Sequence, residues 1–252
     1  MKFVRFQVQG RTACGILNNN HVAELDGSYL SDLATPATDH ALSGVKLLAP
    51  CNPSKIVAVG LNYRDHAKEL RMATSETPIV FLKPPTTIVG PGDAIVYPGM
   101  SAQVDYEAEL GVVIKDRVRN VRPDEALGHV LGYTCANDVT ARDLQKKDGQ
   151  WTRAKSFDTF CPVGPWIETD LDPDDLLIES FLNGARRQAS RTSQFIFKVN
   201  VLVSFISEIM TLEPGDLIIT GTPAGVGPMK PGDEIEVRIE GIGSLKNIVR
   251  AN

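Results

Sequence analysis

Tyr106-Glu107-Ala108-Glu109-Leu110-Gly111-Val112-Val113-Ile114 is the stretch on which the reading turns. Successive side chains of a β-strand point to opposite faces, so Glu107 and Glu109 share one face while Ala108, Leu110, Val112 and Ile114 share the other. The same period of two recurs in residues 234–240, where Ile235, Val237 and Ile239 oppose Glu234, Glu236, Arg238 and Glu240; one side of that sheet must meet water. Asn183-Gly184, between residues 176–182 and 185–188, predicts a tight hairpin. Three Pro-Gly-Asp turns, at Pro91, Pro214 and Pro231, each precede an apolar or alternating run, because Pro then Gly suits a type II turn.

Further strands are expected at residues 55–59 and 79–82, the latter closed by Lys83-Pro84-Pro85. At the start, Val4, Phe6 and Val8 alternate with Arg5, Gln7 and Gln9; turns at Gly10-Arg11 and at 18–20 lead to strands at 14–17 and 21–25. The segment 27–53 is punctuated by Gly, Ser and Pro, which puts a boundary near residue 50 between a small N-terminal β domain, 1–50, and a catalytic part, 51–252. Two helices stand out: 63–71, capped by Asn62, and 200–210, with Leu202, Phe205, Ile206 and Ile209 on a core-facing stripe. Helices and strands do not alternate regularly, which favours an α+β, mostly β fold over a doubly wound parallel sheet.

With 252 residues, 42% hydrophobic and 23% charged, the chain can bury a sizeable core. A net charge of -5 provides no broad basic field, so nucleic acid and anionic membranes are not expected partners. There is no apolar run of the ~18 residues a membrane span requires, and the start lacks a signal-peptide pattern. Cys14, Cys51, Cys135 and Cys161 stand far apart without a Cys-x-x-Cys pair, and are expected to be reduced core thiols of a cytoplasmic protein.

A Glu-x-Glu on an exposed sheet face is ordinarily a solvated pair. Here Gly111, with Gly90, Gly92 and Gly99 nearby, is expected to leave room for a ligand, and Asp138 follows another apolar run, 130–136. If Glu107, Glu109 and Asp138 converge, their repulsion calls for a cation; an all-oxygen set favours Mg²⁺ or Mn²⁺, admits Ca²⁺ and disfavours zinc. His66 and Glu69 lie three residues apart on the predicted helix, which suits either a water-activating pair or an exposed face shared with Asp65, Lys68 and Arg71. Arg142, Gln145, Lys83 and Lys155 follow strands, where they could meet an acid or simply be solvated. The Gly-rich run 220–228 is not a phosphate loop: it lacks the Gly-Lys-Ser/Thr ending, and Pro223 and Pro228 have no N–H to donate. It could present Thr222 to a small carboxylate. No Gly-x-Ser-x-Gly elbow supports a serine hydrolase.

Taken in order, Val59-Gly60-Leu61-Asn62-Tyr63 with His66 and Glu69, Phe81-Leu82-Lys83-Pro84, Tyr106 to Gly111, Asn137-Asp138-Val139-Thr140-Ala141-Arg142-Asp143, Lys155-Ser156-Phe157 and Thr220-Gly221-Thr222-Pro223 resemble the fumarylacetoacetate hydrolase superfamily. The likeness lies with its branch of acylpyruvate hydrolases, oxaloacetate decarboxylases and 2-hydroxyhepta-2,4-diene-1,7-dioate isomerases. It implies a mixed β-roll, a homodimer, and Glu107, Glu109 and Asp138 as ligands of Mg²⁺ or Mn²⁺. It further implies His66 and Glu69 as a dyad on a mobile lid, Lys155 as a catalytic cation, and Arg142, Gln145, Lys83 and Thr222 around a small 2-oxo acid. Hydrolysis of an acylpyruvate, decarboxylation and isomerisation would share one enolate stabilised by the cation, with hydrolysis the first expectation. The competing reading from another class is a metal-containing binding protein without turnover; intact His66, Glu69 and Lys155 count against it.

Overall fold

A computed structural model describes residues 1–30 and 36–252, and it is an α+β, mostly β structure. Residues 31–35, within the turn-rich segment expected at 27–53, lie outside the described residues. The largest sheet runs, from edge to edge, through Pro36–Ala41, His21–Leu25, Arg11–Asn18, Lys2–Val8, Cys161–Glu168, Val130–Asn137, Ala108–Ile114, Leu217–Ile219, Ile56–Gly60 and Ile79–Lys83. The N-terminal strands join it through Lys2 opposite Glu168 and Phe3 opposite Ile167. A second sheet orders Ala185–Arg191, Leu177–Leu182, Glu234–Ile239, Gly243–Ala251 and Ala94–Tyr97; a third joins Thr140–Ala141, Val104–Tyr106 and Gly227–Met229.

The central strands of the large sheet are apolar on both faces because both are covered. Val57, Leu110, Val112 and Ile218 pack into one core with Leu202, Val203 and Ile206 of the helix Val199–Ile209. Their strand neighbours Ile56, Ala58, Val113 and Ile219 pack into a second core. The expected helical stripe holds except at Ile209, which closes the helix and is 49% exposed. The glycines of the three Pro-Gly-Asp turns, Gly92, Gly215 and Gly232, have φ of 77°, 85° and 98°, as a type II turn demands. All four cysteines are free, and no helix among the described residues is long and apolar enough to cross a membrane.

Two expectations need correction. Gly111 and Gly90 admit neighbouring protein atoms and do not make room for a ligand: a Cβ on Gly111 would stand 2.8 Å from the Thr134 methyl, and one on Gly90 would stand 2.6 Å from the Ala49 amide nitrogen. Gly92 and Gly99 face open space. Nor does Asn62 cap the helix, which spans Arg64–Leu70 with Tyr63 at its N-cap and no side-chain cap bond. Fully buried Asn62 instead donates to the Phe197 and Thr220 carbonyls, at 3.0 and 2.8 Å, and accepts from the Phe197 amide at 2.8 Å. It thereby fixes the strand-to-helix turn to the loops on either side of the acidic cluster. Asn62→Ala leaves all three backbone groups without this partner, the Thr220 carbonyl in a buried position, so urea unfolding should show a loss of about 2–4 kcal/mol; a loss within experimental error would remove this role.

Candidate active site

Register brings the carboxylates together. Ala108 pairs with Asn137 and Glu109 with Ala136, so the chain leaving Val130–Asn137 carries Asp138 alongside Glu107. The Asp138 amide donates to the Glu107 carbonyl at 2.9 Å, and the Glu107 amide donates to Asn137 Oδ1 at 2.9 Å. One carboxylate oxygen from each of Glu107, Glu109 and Asp138 lies within 4.8 Å of the other two. All three side chains are buried.

Three cations enter the same interior. Lys83, at the end of its strand, donates to Asp138 and, at 2.8 Å, to the Phe160 carbonyl. Lys155, from the short helix Thr152–Lys155, donates to Glu107 at 3.0 Å and to Asp138 at 2.5 Å. Arg142 opens the helix Arg142–Asp148 and reaches Glu107 through Nη2, Asp105 through Nε at 2.9 Å and Gln145 through Nη1 at 2.7 Å. Burial pushes the Glu107 carboxyl up, but the Lys155 and Arg142 charges prevail and hold it down at about 2. Glu109 goes the other way: burial, then the Asp138 and Glu107 charges, raise it well above the ordinary carboxylate value. It accepts from the Gly221 amide at 2.7 Å and has no ion-pair partner among the described residues. Burial works against the charge on Lys155, yet Asp138 and Glu107 raise its pKa overall.

The triad opens onto a cavity of about 320 Å³ that His66, Arg142, Gln145, Lys155 and Thr222 also line. His66 Nδ1 is 2.8 Å from Glu69, and Glu69 in turn accepts from the Gly225 amide at 3.2 Å. The helix start is tied down by the Ser190 hydroxyl donating to Asp65. Lys83 sits behind Asp138 and does not line the cavity; the Thr222 hydroxyl does, while donating to the Ala108 carbonyl at 2.9 Å. Apart from exposed Lys146, the remaining side chains of the wall are apolar, with Val59, Leu70, Met72, Ile79, Phe81 and Trp151 among them.

Sequence reasoning passed over several residues. Asp105 anchors Arg142, and its place two residues before Glu107 on an alternating strand is a signal that could have found it. Thr140 donates to Glu107 at 3.1 Å, and Trp151 walls the cavity from a polar stretch whose lone aromatic is the only hint.

The family model described as fumarylacetoacetate (FAA) hydrolase C-terminal matches residues 55–250. The chain belongs to the fumarylacetoacetate hydrolase family. A second model, described as Rv2993c-like, N-terminal, matches residues 1–50. Among solved structures, the 2-hydroxyhepta-2,4-diene-1,7-dioate isomerase from Mycobacterium marinum is 44% identical, with TM-score 0.93 over 100% of this chain and 99% of that one. Maleylpyruvate hydrolase from Sphingobium is 29% identical, with TM-score 0.85 over 100% of both chains. The mitochondrial oxaloacetate tautomerase fahd2 of Xenopus laevis is 43% identical over 231 residues, which cover 86% of this chain and 72% of that protein. The named relatives are thus a hydrolase, an isomerase and a tautomerase.

Glu109 yields a prediction with a definite sign. In the fold its carboxyl holds a proton above the pH at which the unfolded chain releases it, so folding loses stability as pH rises through that window. Without metal, Glu109→Gln should therefore raise stability at neutral pH, by about 1 kcal/mol in urea unfolding with a chelator, and should flatten the pH dependence. Unchanged stability and an unchanged pH profile would contradict the origin assigned to the shift.

Proposed function

We propose that the chain is a divalent-metal-dependent hydrolase of small 2-oxo acids that cleaves the C3–C4 bond of an acylpyruvate-type substrate, with residues 51–252 carrying the chemistry. One observation carries this reading: a converged, buried carboxylate triad lines the same cavity as His66, whose Nδ1 is hydrogen-bonded to Glu69. The donor set fits a hard cation. It is all oxygen, and Glu109, alone of the three, lacks a cationic partner among the described residues. Mg²⁺ or Mn²⁺ held by Glu107, Glu109 and Asp138 would supply Lewis-acid polarisation of the 2-oxo group.

The remaining work falls to the chain's own groups. Arg142 and Lys155 present positive charge at the cavity wall, where they attract and orient the substrate carboxylate. Gln145, which lines the cavity beside Arg142, accepts from its guanidinium and helps fix its plane. His66 Nε2, with Nδ1 turned to Glu69, takes a proton from water as the oxygen attacks the C4 carbonyl. Collapse of that tetrahedral centre breaks the C3–C4 bond, the electron pair stays on C3, and His66 returns its proton there. The products are a carboxylic acid and pyruvate, one water having been consumed.

A second reading rests on the relatives named isomerase and tautomerase at 44% and 43% identity. Those reactions move a proton at C3 and need no attacking water. The two readings part at His66. His66→Ala should cut hydrolysis of 2,4-dioxopentanoate by about 10²–10⁴-fold in kcat, while enol–keto conversion of oxaloacetate, followed by ultraviolet absorbance, falls much less. Equal losses, or hydrolysis below detection in the parent protein with brisk tautomerisation, would favour the second reading.

A further inference from the structure

We infer that the outer part of this cavity selects an uncharged, apolar acyl group, alkyl or aryl, over a second carboxylate, with Trp151 and Phe81 as specificity-determining residues. The inference deepens the acylpyruvate reading and rests on it for the placement of the substrate's polar end.

Contacts lead outward from the charged centre in a continuous series. Lys155 Nζ lies 5.2 Å from the centroid of the Phe81 ring, and Phe81 meets Trp151 edge to face with centroids 5.1 Å apart. Trp151 in turn lies against Gly60, where a Cβ would stand 2.7 Å from the indole; only glycine leaves the ring that position. Gly60 pairs with Ile79 across the sheet, and Ile79 and Phe81, two residues apart on one strand, present the same face. Leu70 and Met72 complete this wall from the end of the His66 helix.

Two further observations point to an apolar occupant. Leu70, Met72 and Ile79 are 48%, 54% and 43% exposed, so three large apolar side chains border one opening, an arrangement that is costly in water unless a ligand covers it. Beyond the carboxylate centre, the cation lining the cavity among the described residues is Lys146, which is exposed at the rim. A second carboxylate carried past Phe81 would lose its water with no buried partner to replace it. An alkyl or phenyl group would cover Trp151 and Ile79 and gain from it.

Binding is tested with acids that cannot be cleaved because they lack the second carbonyl: 2-oxo-4-phenylbutanoate, 2-oxopentanoate and 2-oxohexanedioate, titrated calorimetrically into the full-length protein with Mg²⁺. The phenyl acid should bind at least about tenfold more tightly than the diacid. In Trp151→Ala that ratio should fall to within about twofold, and Met72→Arg, at a half-exposed position that tolerates change, should shift it toward the diacid. Tighter binding of the diacid, an unchanged ratio in both variants, or no binding of any of the three acids overturns the inference. If Trp151→Ala fails to fold, Met72→Arg decides alone. Turnover of 2,4-dioxo-4-phenylbutanoate is measured separately: no hydrolysis alongside an intact phenyl preference sinks the hydrolase reading and supports the apolar wall.

Discussion

The structure depends on how buried charge is balanced at one point. Asp105, Glu107, Glu109 and Asp138 are all nearly inaccessible to water, and Lys83, Lys155 and Arg142 are placed among them. An unpaired ion in such a place costs several kcal/mol, so each cation is positioned by at least one carboxylate. The four carboxylates exceed the three cations by one, and the excess falls on Glu109, whose raised affinity for a proton is the local response. A site in this state is poised for a cation, and once a divalent ion reverses the balance it is poised for an anion. The same imbalance that destabilises the fold thus creates affinity for both.

Holding such a cluster requires rigid surroundings. Glu109 lies in the strand Ala108–Ile114, Glu107 stands just before it, and Asp138 just after its partner Val130–Asn137; the apolar residues of these paired strands are buried on both faces. A register slip of one residue would turn Glu107 and Glu109 into the hydrophobic core formed by Leu110 and Val112, so the cores enforce the site. Asn62 does for the loops what pairing does for the strands. Its amide joins the turn before the His66 helix to Phe197 and Thr220, which places the dyad over the cluster through three hydrogen bonds.

Local periodicity made part of this legible. The shared face of Glu107 and Glu109 followed from a repeat of two, and so did the burial of Ile235, Val237 and Ile239. The convergence of Asp138 did not, because it depends on pairing between distant segments; there the family resemblance, not the residues, led to the expectation. Gly111 shows why composition misleads: a glycine that admits a ligand and one that admits a neighbouring strand's threonine look alike in sequence. Asn62 before a helix is the ordinary signal for a cap, and tertiary hydrogen bonds overrode it. Lys83, expected around the substrate, is the buried end of an otherwise accessible strand, and its ammonium is turned to Asp138 and the Phe160 carbonyl.

The site separates two tasks that one family combines in different ways. The cluster is deep and over-determined, and on the proposed reading it is indifferent to the fate of an enolate. The His66 pair is not: Glu69 is held from outside the helix by the Gly225 amide at 3.2 Å, and its side chain is 42% exposed. In the proposed chemistry, a base at this position can bring water to a carbonyl or pass a proton to carbon, so the pair and not the cluster separates the two readings. Leu70 and Met72, at and just beyond the end of the same helix, border the cavity, so a substrate whose outer end covers them also touches the element that carries His66. On the proposed reading, an apolar acyl end would pack on the helix that carries the base, whereas a short diacid would leave Leu70 and Met72 uncovered.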